Sequence, residues 1–181
     1  MENNTDKIVW TTTKPCSQSK KRVRVVASLV PWKSNITPEV LNEQLTKIKE
    51  LNELCDTTNT IQDNVLHLIQ SHIQQKRRGY KYQDIHNSLY DETRFIPFPK
   101  IVALLASSQL TCYYCQQSVQ LLYEYVREPL QWTLERLDNQ QGHNTDNVVI
   151  ACLRCNVRRR TMYHERFLYT KQINQQKIIK E

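Results

Sequence analysis

Two Cys-x2-Cys pairs, Cys112 with Cys115 and Cys152 with Cys155, constrain this chain more than any other feature of it. A turn of that spacing presents two sulfurs to one point, and two such turns complete a tetrahedral shell around Zn²⁺. The 36 residues between the pairs are too many for a simple compact finger, but enough for a helix and a hairpin. With sulfur in all four positions no coordination site stays open, so the zinc is expected to be structural and to add folding free energy to a module with a thin core. Matched pairs also favour metal over disulfides, and hence an intracellular, reducing compartment. Cys16 and Cys55 lack such a partner; Cys55 ends a helical apolar stripe and reads as a buried thiol.

The chain has 181 residues, room for one ordinary domain or a small domain with an extension. Only 39% of them are apolar, with a mean hydropathy of -0.64, so one large core is not assured. The longest apolar run, IVALLA at 101–106, is too short to span a bilayer, and the polar MENNTDKIVW start does not read as a signal peptide. No membrane partner is expected. Formal net charge is +7, and one Zn²⁺ on four thiolates removes two of those charges and leaves the chain basic. Basic clusters stand at 20–24, at Lys76-Arg77-Arg78 and at Arg158-Arg159-Arg160, with Arg154 close to the last. Such a chain suits a polyanion, DNA first and RNA second, although a solvated surface explains 76–78 equally well.

The pattern divides the chain into five stretches. Residues 1–36 form an N-terminal arm with a strand-like run at 23–30. Over 37–75 two helices are predicted: Thr37 is the N-cap of the first, Pro38 its first residue, and Val40, Leu41, Leu45, Ile48, Leu51 and Leu54 its stripe. Ile61, Val65, Leu68, Ile69 and Ile73 mark the second. The pair over 37–74 either packs on itself or offers an apolar face to a partner protein or a second copy. Residues 76–107 are a basic, aromatic connector ending in a short helix at 100–108, with Tyr80 or Tyr82 placed to meet sugars or bases, or else to anchor a linker. The compact module is 108–170, and 171–181 a C-terminal tail. Within the module the pattern predicts a helix through Val119, Leu122, Tyr123 and Val126, strands at 132–134 and 148–151, and a helix from about Asn156. That is an α+β arrangement in ββα order, with the cysteine pairs clamping its ends.

The stretch QWTLERLDNQQGHNTDNVVIACLRCNVRRR, 131–160, carries the chemistry. Glu135 and Asn156 lie where a ββα hairpin brings two oxygen-bearing side chains to one side. A hard cation such as Mg²⁺ or Mn²⁺ accepts such oxygens, with water and a phosphate completing its shell. Arg154, Arg158, Arg159 and Arg160 add positive charge near the same helix start. Asp138 reads as a salt bridge to Arg136 or an Asx-turn rather than a ligand, and Asp146 as a local cap or pair. Trp132 and Tyr163 read as core or semi-buried aromatics rather than as base-stacking ones. His164, four residues after Arg160, is placed on the same helical face.

These residues resemble the HNH endonuclease motif of the ββα-metal superfamily, in the zinc-knuckle variant of phages and large DNA viruses, whose core reads Leu-Asp-Arg-Ile-Asp-Asn, Gly, Asn, Cys-x2-Cys-Asn. The likeness spans about 76–171 and is strongest over 112–160. It implies that Glu135 takes the carboxylate metal-ligand position, Arg136 that of the general-base histidine, Asn147 that of the asparagine bracing the metal loop, and Asn156 that of the last metal ligand. It also implies a viral setting, in host cytoplasm or nucleus. Glu for Asp lengthens the ligand arm by a methylene. Arg136 cannot accept a proton, since a guanidinium stays charged, and is then placed to neutralise phosphate. His143 in the Gly-His-Asn loop becomes the candidate base, or caps a turn. The expected function is a metal-dependent DNA endonuclease. The alternative is a catalytically inactive HNH-like zinc protein that binds nucleic acid or serves in an assembly.

Overall fold

The computed structural model describes residues 38–55 and 63–178, the last five of them as backbone only. The arm of 1–36, the basic cluster at 20–24, Thr37 and the polar link between the first two helices lie outside the described residues. The elements are α1 (Pro38–Cys55), α2 (Asn64–His86), α3 (Phe98–Ser107), β1 (Trp132–Arg136), β2 (Val148–Cys152), α4 (Leu153–Arg159) and α5 (His164–Ile178). Among the described residues no helix is long and apolar enough to cross a membrane.

α1 opens on Pro38, whose fixed φ suits the first turn. α2 is capped by Asp63, whose Oδ1 accepts from the Val65 N–H at 2.7 Å while its other oxygen pairs with Lys47 of α1. Ile48 and Leu51 of α1 and Leu66, Ile69 and Ile73 of α2 are all but inaccessible to solvent. They pack with Ile101, Val102 and Leu105 of α3 against the sheet and the cysteine pairs in one continuous core. The inner residues of both stripes are therefore covered by this chain's own core, while Val40, Leu41, Leu45, Leu54 and Leu68 stay half-buried. Cys55, expected to be buried, is half-buried at the end of α1.

α2 does not stop at residue 75 but runs to His86, so the expected connector is in its first third a helix. This rotation turns two bases inward. Lys76 donates from Nζ to Gln131 Oε1 at 3.2 Å and to the Trp132 carbonyl, and lies 4.5 Å from the Trp132 ring centre. Burial lowers its pKa to about 7. Arg77 donates to the Ile96 carbonyl at 2.8 Å and lies over the Phe95 ring. Of the three bases proposed to touch nucleic acid here, Arg78 alone is exposed.

The helix expected after the first cysteine pair does not form. Residues 116–131 are irregular, joined by single bridges Thr111↔Ser118 and Gln120↔Gln131. The reason is Gln44, buried on α1. Its Oε1 accepts from the Leu121 and Leu122 N–H groups at 2.7 and 3.2 Å, and its Nε2 donates to the Leu122 carbonyl at 3.3 Å. One side chain thus satisfies backbone groups that a helix would have paired internally. Val119, Leu121 and Leu122 all point into the core while Val126 stays 50% exposed, which is not a helical pattern.

β1 and β2 pair antiparallel, with Trp132 opposite Cys152 and Glu135 opposite Val149, and α4 follows β2 without a break. The sheet has two strands and is otherwise flanked by helices. α5 continues well past residue 170. The described fold is mixed helix and small antiparallel sheet around a four-cysteine cluster.

Candidate metal centre and adjoining cavity

Cys112 and Cys115 follow α3, whereas Cys152 and Cys155 span the junction of β2 and α4. Their sulfurs all lie within 4.8 Å of one another. Cys115 and Cys152 are 3.9 Å apart, close to the S···S separation of about 3.8 Å that a tetrahedral Zn²⁺ with ~2.3 Å bonds requires. The Cys152 and Cys155 N–H groups point at the sulfurs of Cys112 and Cys152, at 3.3 and 3.4 Å. Four thiolates this close repel strongly. As bare thiols, Cys152 and Cys155 both donate to Cys112 and hold it well below the usual thiol range; the same hydrogen bond pushes Cys152 up to about 12 and Cys155 upward too. A divalent cation is what allows all four to ionise together, and a soft four-sulfur set fits zinc. These four cysteines could hold such an ion.

The strand period and the helix period meet on one face of the sheet. Thr133 and Glu135 share a face of β1, and Asn156 and Arg159 share a face of α4. Asn156 donates from Nδ2 to Thr133 Oγ1 at 3.2 Å, and Thr133 in turn donates to the Ala151 carbonyl at 2.9 Å. Arg159 pairs with Glu135 one layer along, both of them buried. Arg159 also donates to the carbonyls of Arg136, Leu137 and Met162 and to Asn139 Oδ1, so its guanidinium is engaged inside the fold rather than offered to phosphate. Burial raises the Glu135 pKa, and the Arg159 charge opposes that rise. Oε2 of Glu135 accepts no hydrogen bond among the described residues, and the amide oxygen of Asn156 is not used by its bond to Thr133. A hard cation fits those two oxygens by chemical type; the Arg159 partner is the feature that weighs against it.

Above this face lies a cavity of about 370 Å³, lined by Glu135, Arg136, His143, Asn156 and Arg160 together with Tyr80 and Gln83 of α2. Glu135, Arg136, His143 and Asn156 thus come together, whereas Asn147 stays outside and braces the loop. It donates from Nδ2 to the carbonyls of Asp138 and Gly142 at 2.9 and 3.0 Å, and accepts from the Asp138 N–H at 2.9 Å. Asp138 makes an Asx-turn to the Gln140 N–H at 2.9 Å. Asp146 pairs with distant Arg94 at 2.7 Å, not locally as expected.

The residue that organises the cavity was not anticipated. Asp84 of α2 is fully buried. It accepts from the His143 N–H at 2.6 Å and meets His143 Nδ1 at 2.8 Å; Arg136 Nη1 lies 3.9 Å away. Gly142 makes this approach feasible, since a Cβ there would come within 2.4 Å of the Leu89 carbonyl oxygen and 2.9 Å of Asp84 Oδ2. Tyr80 stacks on the imidazole at 4.5 Å between ring centres, and its hydroxyl accepts from the Leu134 N–H at 3.0 Å. With Nδ1 committed to Asp84, Nε2 is the ring nitrogen left for chemistry. Burial lowers the His143 pKa, against the pull of Asp84. The signal in the sequence was present: Asp84 lies four residues after Tyr80 and eleven after Ile73, on the buried face, where an acid needs a partner.

The remaining arginines divide by position. Arg154 is exposed and donates to Gln117 near the cysteine cluster; Arg158 is exposed; Arg160 reaches the cavity. Arg160 ends α4 with φ 53° and ψ -117°, held by Asn139 Nδ2 donating to its carbonyl at 2.9 Å. That turn breaks the helix, so His164 opens α5 instead of sharing a helical face with Arg160. Trp132 is wholly buried, as expected, but Tyr163 is 82% exposed because it lies in the link between α4 and α5. No protein-family model matches this chain, and no curated protein or solved structure is significantly similar to it.

Proposed function

We propose that the cavity between α2 and α4 is the active site of a divalent-cation-dependent DNA endonuclease of HNH type. The observation that carries this reading is His143, its ring fixed by Asp84 and its Nε2 left available, in the same cavity as Glu135 and Asn156. Glu135 and Asn156 are the ligands for Mg²⁺ or Mn²⁺, which when bound supplies polarisation of the phosphoryl group and neutralisation of the leaving oxygen. His143 Nε2 takes a proton from the attacking water, the new P–O bond forms, and the P–O3′ bond breaks; the leaving 3′ oxygen takes a proton from solvent water, which leaves a 3′-hydroxyl and a 5′-phosphate. Asp84 stabilises the imidazolium produced in that step. Arg136, whose guanidinium cannot act as the base, and Arg160 neutralise the phosphate. Asn147 keeps the loop that carries His143 in register with β1.

A second reading rests on one observation, the Glu135–Arg159 pair. A carboxylate already neutralised by a buried guanidinium is a poorer cation ligand, which favours a scaffold that binds nucleic acid without cutting it. Cleavage of labelled single-stranded, duplex and branched DNA by the zinc-loaded protein, with Mg²⁺ or Mn²⁺ and without, separates the two. The nuclease reading expects cation-dependent cutting that falls about 10²- to 10⁴-fold in His143→Ala, the usual size of a general-base contribution. Tight binding with no cutting under either cation would select the scaffold.

A further inference from the structure

A second cavity, of about 490 Å³, adjoins the first, and Asn139 and Thr161 line both. Its far wall is the link into α5, with Tyr163 and His164. Tyr163 is among the most exposed large side chains of the described fold, and Met162 beside it is also exposed. From Arg160, in the first cavity, to Tyr163, in the second, is three residues, at most about 11 Å of extended chain.

The charges of the two cavities differ in kind. The first is lined by Arg136 and Arg160, its one carboxylate, Glu135, being paired with Arg159, which suits a phosphate. The second is lined by Asp138 and Glu165, the latter 3.3 Å from His164, and its one arginine, Arg159, is already committed to Glu135. With two carboxylates and no uncommitted arginine, that lining is less suited to a phosphate than the first. An aromatic face beside the Gln140 amide instead suits a nucleobase, which stacks on tyrosine and offers its edge to an amide, while the Asn139 amide is already engaged with Arg159 and the Arg160 carbonyl. Arg158 and Arg166 are both exposed on the flanking helices, on either side of the link.

We propose that the second cavity takes an unpaired nucleobase next to the phosphate held in the first, with Tyr163 as its stacking platform, so that the strand bound here is single-stranded DNA. This rests on the nuclease reading for the placement of the phosphate, but its test is binding and needs no cleavage. A base still paired in a duplex presents no face to Tyr163, so the site selects against fully paired DNA.

The experiment is fluorescence anisotropy of the full, zinc-loaded protein with a short labelled oligothymidylate and with a blunt duplex, without added divalent cation so that nothing is cut. Tyr163→Ala is expected to weaken oligothymidylate binding about tenfold and to change duplex binding by less than about twofold, with Tyr163→Phe close to wild type. Tyr169→Ala, at another exposed tyrosine that lines neither cavity, is expected to do nothing. Equal losses on both DNAs, no loss at all, or the same loss from Tyr169→Ala would overturn the proposal. So would tighter binding of oligouridylate than of oligothymidylate, or a dimer in sedimentation that Tyr163→Ala dissolves, which would assign the patch to a second copy. A protein that meets the binding expectation yet never cuts DNA overturns the nuclease reading and leaves the base site standing.

Discussion

Stripping zinc from the purified protein should unfold the cysteine module, and returning Zn²⁺ should restore it. The four sulfurs bring together the turn after α3 and the junction of β2 with α4. Among the described residues these are tied only once through the backbone, by the Tyr113 N–H donating to the Ile150 carbonyl at 2.8 Å. Structural zinc in small modules contributes apparent folding free energies of about 10 kcal/mol or more, as large as the whole net stability of an ordinary domain. Trp132 is the internal probe, because it pairs with Cys152 across the sheet and is wholly buried. In a background with Trp10→Phe and Trp32→Phe, its emission should shift to the red on treatment with a strong chelator. Cys152→Ser should give the same shift without chelator. Metal analysis should find one zinc per chain. A chelated protein that keeps the buried emission of Trp132 and its melting temperature would mean that the cysteines are packed thiols and no more.

Arg159→Met should cost about 3–5 kcal/mol, against less than about 0.5 kcal/mol for Arg158→Ala one residue away. The volume is nearly kept, so the loss is electrostatic. Glu135 is left buried with an uncompensated charge, and the carbonyls of Arg136, Leu137 and Met162 each lose a donor. Glu135→Gln in the Arg159→Met background should recover part of the loss by removing the orphaned charge. Urea titrations would show this as a shift in midpoint at constant slope. If Arg159→Met cost no more than Arg158→Ala, the pair would not exist in solution and Glu135 would be an open carboxylate after all.

The contrast between Arg158, Arg159 and Arg160 also shows what the sequence discloses and what it withholds. Three consecutive arginines look alike as a run, yet a helix separates successive side chains by about 100°. One turns to solvent, one to Glu135 and one to the cavity, and only the position of β1 against α4 decides which. The cysteine centre was legible because its chemistry lies in a spacing. So were the strands, where apolar runs border the second cysteine pair, and the apolar stripes of α1 to α3, although α2 runs eleven residues beyond the expected end at 75. The segment after Cys115 was misread because Gln44, more than seventy residues earlier, supplies its backbone partners. Asp84 was passed over for the same reason: its meaning depends on His143, which lies 59 positions away along the chain. Long-range polar pairs carry no periodicity, so burial on the inner face of α2 was the only local hint.

Glu135 is the residue on which the functional reading turns. Its carboxylate faces the proposed cation and the buried Arg159 at once, and one of them has the stronger claim. The most direct measurement is therefore Mn²⁺ binding to the zinc-loaded protein, followed by electron paramagnetic resonance, in wild type, Glu135→Gln and Asn156→Ala. The proposed site predicts one bound Mn²⁺ beside the zinc, weakened in both variants. Wild-type protein that binds no Mn²⁺, or binds it equally in all three, would contradict a cation site at Glu135 and Asn156 and leave a nucleic-acid-binding scaffold in its place.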